Sequence, residues 1–169
     1  METAKKHGLV ARIFHWGFIL VFIYALFKQL DNIDQLSEPG LLRFEVIFAA
    51  AFLVLLAARY TYMRVTMPSA LPEETSVWMK RAARAGHLAM YISLSMIAIS
   101  GLLIGALYYM GGPDAVGMGI AMFLHENSVL AAYASIALHV AAALFHRLKG
   151  DGIWSSMVPV MTEDKARSE

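Results

Sequence analysis

Two imidazoles bound the stretch "HENSVLAAYASIALH", residues 125 to 139, whose middle is otherwise suited to lipid. At about 100° per residue, fourteen helical steps return to within roughly 40° of the starting direction, and at about 1.5 Å per residue they cover roughly 21 Å. His125 and His139 therefore share one helix face at two depths. An imidazole can coordinate a metal, relay a proton or simply hydrogen-bond a neighbouring helix. Inside an apolar segment the first two roles require partners at the same depth. His15 and His87 lie at about the level of His139, and His146 follows seven residues later on nearly the same face. Four imidazoles thus collect toward one end, whereas the residue matching His125 in depth is Glu45.

The elements that position these groups follow from composition. The chain has 169 residues, 59% hydrophobic and only 16% charged, with a mean hydropathy of +0.57, well outside the range of ordinary soluble domains. Apolar runs occupy 13–27, 46–58 (extendable to 41–59 if Arg43 and Glu45 are tolerated), 88–110 and 127–145. Each comes close to the roughly 20 residues that cross a bilayer as helix. Backbone groups in lipid must bond internally, which favours helices over strands here. The expectation is an all-α, integral membrane four-helix bundle, one domain over 1–169. Its helices should run about 10–30, 41–61, 83–110 and 121–148, with a flexible tail over about 160–169. "PEETS", 72–76, could open a short surface helix after Pro68 and Pro72.

Basic residues are distributed unevenly. Lys5, Lys6, Arg12, Arg59, Arg64, Lys80, Arg81, Arg84, Arg147, Lys149, Lys165 and Arg167 fall on one side, 12 of the 14, leaving Lys28 and Arg43 on the other. By the positive-inside rule both termini are expected in the cytoplasm. The first run lacks a small-residue cleavage site and is followed by Lys28 and acidic residues, so it reads as a retained helix. Zero cysteines exclude disulfides, iron–sulfur clusters, thiolate zinc and covalent c-type haem attachment. A net charge of +1 whose basic residues are accounted for by topology gives no reason to expect nucleic acid. The 11 methionines are scattered and read as packing.

Two histidines facing each other about 4 Å apart across an iron would form a bis-histidine b-type haem, a cofactor suited to a histidine-rich, cysteine-free membrane bundle. Ala132, Ala134, Ser135, Ala137 and Ala141 to Ala143, with Gly101 and Gly105, would leave room for a flat macrocycle, or serve close helix packing. At the outer level Glu45 is a poor ligand for low-spin iron, though with His125 it could hold a proton, a metal or a five-coordinate haem.

"FHW" at 14–16, "AGHLAMY" at 85–91, "SGLL" at 100–103, "HE" at 125–126 and "LHVAAALFH" at 138–146 make the chain similar to the bacterial cytochrome b-561 family, related to the cytochrome b subunits of nickel–iron hydrogenases and formate dehydrogenases. The resemblance implies His15 and His139 as ligands of a cytoplasmic-side haem b. For a second, periplasmic-side haem it offers only His125, because "RFEV" places Glu45 where the family has histidine. If that cavity survives, Glu45→His should restore the second haem. Where the family often has two helix 3 histidines three apart, this chain has Arg84 and His87, which marks His87 as a group beside the ligands or at a quinone.

The resemblance further implies electron transfer between a reductant and membrane quinone, and one branch oxidises superoxide while reducing ubiquinone. Arg12, Arg59, Arg84 and His146 lie at the right depth to match haem propionates, and anchoring at the membrane border is their other role. Arg84, His87 and Tyr91 are candidates for a quinone carbonyl. Two other readings stand beside this one. The chain could be the haem-bearing anchor of a larger oxidoreductase that serves a redox partner protein, or a haem-free bundle in which Glu45 and His125 bind a proton or metal.

Overall fold

With no water to satisfy them, backbone N–H and C=O groups in hydrocarbon have to be bonded within their own segment, and the four apolar runs meet that requirement as helices. The structure, a computed structural model, describes residues 8–66 and 75–158. Helix α1 spans Leu9–Phe27, α2 Pro39–Thr66, α3 Val77–Gly111 and α4 Met118–Lys149, and a short α5 covers Ile153–Met157. Two 3-10 turns, Ile33–Ser37 and Gly112–Asp114, connect α1 to α2 and α3 to α4. No strand occurs among the described residues, and α1 to α4 are each long and apolar enough to cross a membrane. The expected all-α architecture of four membrane helices is the one the chain adopts. Most of "PEETS" and the tail at 160–169 lie outside the described residues.

The helix boundaries reflect local chemistry. Pro39 opens α2, where its missing N–H costs nothing. Ser76 caps α3, its Oγ accepting from the Met79 N–H at 3.3 Å. Gly150, at φ +68°, ends α4 in the left-handed region and donates its N–H toward His146 and Arg147 carbonyls at 3.1 and 3.2 Å. Arg147 and Lys149 in that last turn complement the negative end of the helix dipole. α3 begins six residues before the expected boundary at 83. Charges at Lys80, Arg81 and Arg84 end the apolar run but not the helix, which needs only its own backbone bonds and continues past the hydrocarbon.

The helices alternate in direction. Phe14 meets Tyr62, Phe18 meets Phe52 and Tyr24 meets Phe48, with ring centroids 5.4, 5.0 and 5.8 Å apart, so α1 and α2 are antiparallel. α3 packs closely along both α2 and α4, whereas α1 is held off from its neighbours by those aromatic rings. Both described chain ends lie together: the Trp16 indole N–H donates to the Met157 carbonyl at 3.3 Å. Arg12, Arg59, Arg64, Lys80, Arg81, Arg84, Arg147 and Lys149 share that end of the bundle, hereafter the basic end.

Close packing of small residues replaces the hydrophobic drive that is missing between helices in lipid. At Gly105 a Cβ would come 2.5 Å from Val46 Cγ2, while at Gly101 it would meet His125 Cε1 at an ordinary 3.5 Å. The two glycines therefore admit Val46 and His125. Val46 is stiff about χ1 and cannot swing aside. Gly105→Ala is accordingly expected to destabilise the protein by about 1–3 kcal/mol in detergent unfolding, with Gly101→Ala near neutral and Val46→Ala restoring much of the loss. Equal effects at both glycines would contradict this packing.

Candidate functional site

Antiparallel winding brings three of the predicted histidines to one level near the basic end. The ring of His139 on α4 lies between His15 of α1, centroids 6.4 Å apart at 61°, and His87 of α3, 5.3 Å apart at 68°. His15 is fixed from two sides, by the edge of Trp16 at 5.9 Å and by Arg59, whose Nη2 lies 3.3 Å from His15 Nδ1. The Arg59 guanidinium is sandwiched between Phe18 and Tyr91, its carbon 5.3 and 5.8 Å from their ring centres. Such cation–π contacts hold a planar cation in a poorly solvated place.

Proton positions follow from the partners. His87 Nδ1 lies 2.8 Å from the Ala83 carbonyl, which can only accept, so Nδ1 carries a proton, and in the neutral ring Nε2 keeps its lone pair. That is how ring orientation is commonly fixed in a metal-binding histidine. At His15 the roles reverse. A guanidinium only donates, so Nδ1 accepts from Arg59 and the neutral ring holds its proton on Nε2. Ligation through Nε2 would move that proton to Nδ1 and turn Arg59 away.

Other candidates lie elsewhere. Arg12 is half-buried on α1, three residues before His15 and thus on a neighbouring face. Arg84 is exposed, and no contact among the described residues ties it to the histidines. His146 faces the turn after α4, where its Nδ1 lies 2.7 Å from Asp151 Oδ2, with Lys149 Nζ 3.6 Å from the same oxygen. Trp154 receives Arg147 at 5.2 Å, closing this corner against the start of α1. Asp151 and the clamping role of Trp16 escaped the sequence reading, although "HRLKGDG" does place an acid just after a glycine helix end.

At the other end the predicted pair separates. His125 rests against α3, with Ser100 Oγ 3.1 Å from its Nδ1, Gly101 beside its Cε1, and Ala49 as the nearby α2 residue. Glu45 instead lines an outward cavity of about 480 Å³ with Phe27, Lys28, Asp31 and Glu38. At this end the bundle is filled by Leu36, Ile104, Met118 and Ala121, with Leu42 and Leu107 packed on them. Gly101 and Gly105 thus serve helix packing at this end and give no space beside His15.

Whether iron in a porphyrin suits the basic end can be tested against these distances. Two imidazoles bonded to one metal at about 2 Å per nitrogen have their centroids roughly 6 Å apart, close to the 6.4 Å between His15 and His139. Arg12 Nε and Arg59 Nε are buried and have no hydrogen-bond partner among the described residues, which suits the carboxylates such a macrocycle carries. Among the described residues no group of three His, Cys, Asp or Glu could hold a bare metal ion. The residues fit the group.

A four-helix membrane bundle with imidazoles facing across one end has the build of a b-type membrane cytochrome. The chain belongs to the prokaryotic cytochrome b561 family, whose sequence model matches residues 6–160. Comparison with curated proteins and with solved structures gives no match. Membership makes this a multi-pass membrane cytochrome of the b type, a haem-binding protein of electron transfer.

Proposed function

We propose that the chain holds one haem b between His15 and His139, at the cytoplasmic side of a bacterial inner membrane, and passes electrons from a reductant to membrane quinone. The 6.4 Å spacing of those two rings carries the reading. The concentration of arginine and lysine around the same end supports the orientation. Held there by His15 and His139, a haem would supply a one-electron couple.

The chain's own residues do the rest. His15 and His139 would fix the depth of the iron, Trp16 holds the ring of His15, and the aromatic pair Phe18 and Tyr91 keeps the Arg59 guanidinium near the ligands. His87 stands beside His139 with Nδ1 bonded to the Ala83 carbonyl, in a position to orient the ligand or to take part in proton transfer when quinone is reduced. Arg12 and Arg59 are the groups to meet the propionates, and the exposed position of Arg84 makes anchoring at the membrane border its role. Superoxide, the donor that the resemblance implies, is the first reductant to test, with ubiquinone as acceptor. A self-contained enzyme should reduce a soluble quinone analogue when purified alone. An anchor subunit would need its redox partner protein to do so.

The outer half is the place where this chain departs from a two-haem plan. Glu45 opens to the α1–α2 corner, and the α2 residue beside Gly101, where His125 packs, is Ala49. Introducing histidine by Glu45→His is therefore expected to leave haem content at one per chain by pyridine haemochrome assay. A rise to two would show that the outer pocket still accepts the cofactor.

A further inference from the structure

Beside the histidine cluster, on the outer surface between α2 and α3, runs a cavity of about 410 Å³ lined by Leu56, Ala57, Tyr60, Leu88, Tyr91 and Ser95 among others. We propose that this groove seats the ring of a lipid-soluble quinone, an inference that rests on the quinone-linked reading above and gives it a location. Leu88 and Ile92 on its rim are 53% and 55% exposed, and on membrane helices such a surface meets lipid. Its occupant arrives from the bilayer, and a water-soluble reductant is thereby disfavoured.

The size falls within the range of small-molecule sites, roughly 300–1,000 Å³, and the lining has their usual character, apolar walls with a few polar groups. Those groups are the Tyr60 and Tyr91 phenols, rings 5.1 Å apart and nearly perpendicular, and the Ser95 hydroxyl. Neither phenol hydroxyl has a hydrogen-bond partner among the described residues. An acyl chain would fill the apolar part and leave both donors unanswered, whereas a ring carrying carbonyl oxygens gives them acceptors.

The position adds a second, independent argument. Tyr91 is both a wall of the groove and the ring against which Arg59 stacks at 5.8 Å, and Arg59 in turn reaches His15 Nδ1 at 3.3 Å. A ring in the groove is thus separated from His15 by two side chains, Tyr91 and Arg59. The larger outward cavity, lined by Lys28, Asp31, Glu38 and Glu45, is charged and lies at the opposite end.

The test uses purified haem-loaded protein in nanodiscs and a photoactivatable short-chain benzoquinone, with labelled peptides mapped by mass spectrometry. The label should fall within 53–60 and 88–96, the two segments that line the groove. Ala57→Trp should abolish labelling with the haem spectrum unchanged. Tyr91→Phe should raise KM for the quinone analogue about three- to tenfold, the worth of one hydrogen bond, with little change in kcat. Labelling confined to other segments, labelling that persists in Ala57→Trp, or displacement by phospholipid but not by unlabelled quinone would overturn the site. Quinone reduction together with labelling elsewhere would sink the groove and leave the function standing. Labelling in the groove without reduction would do the opposite.

Discussion

His139→Ala is expected to remove the low-spin b-type spectrum from the purified protein. The ring of His139 lies 6.4 and 5.3 Å from those of His15 and His87, so both of these pairs across a single iron include it. The substitution should not unfold the chain, since alanine is the best helix former and α4 is held by its packing against α3. A monodisperse but colourless variant is the expected preparation. The same loss is expected for His15→Ala, and His87→Ala should keep a low-spin spectrum. If His15→Ala kept that spectrum and His87→Ala lost it, the ligand on the far side of the iron would be His87, for which its Ala83-bound Nδ1 has already set the proton.

The second large effect concerns Arg59. Its positive charge lies 3.3 Å from a ring nitrogen of His15 and is only partly exposed to solvent. Reduction of the iron removes one positive charge, so a nearby cation favours the reduced state, and Arg59→Leu should lower the midpoint potential. Coulomb's law with an effective dielectric of about 20 gives a unit charge about 7 Å away roughly 2 kcal/mol, before screening by solvent. At about 59 mV per tenfold change for one electron, the shift should be some tens of millivolts and at most about 100 mV. Arg59→Lys, which keeps the charge but loses the planar stack on Phe18 and Tyr91, should recover most of it. A redox titration of the haem absorbance reads both variants. An unchanged or raised potential in Arg59→Leu would mean that the guanidinium points away from the cofactor once it binds.

Much of this site is visible before folding because depth in a membrane bundle is encoded in sequence. Spans of fixed length that alternate in direction force His15, His87 and His139 to one level, and the helical period places His125 and His139 on one face. Lateral neighbours are not encoded in that way. Nothing in "SGLL" tells that Gly101 would lie under His125, or that Gly105 would admit Val46. His146 shares the face of His139 by period, yet the turn at Gly150 brings Asp151 to within 2.7 Å of it. Trp16 reads as an interfacial aromatic, and its contact with Met157 depends on a short helix, α5, that no apolar run announces. α3 starts ahead of its apolar run because that run measures contact with lipid, while Ser76 and the backbone decide where the helix begins.

The central claim is that one iron is gripped by imidazoles from the first and last membrane helices. Electron paramagnetic resonance on oxidised protein, with haem quantified in the same sample, tests it most directly. The account predicts one haem b per chain with a low-spin bis-imidazole signal. A high-spin signal, or protein purified without haem from cells amply supplied with it, would contradict it.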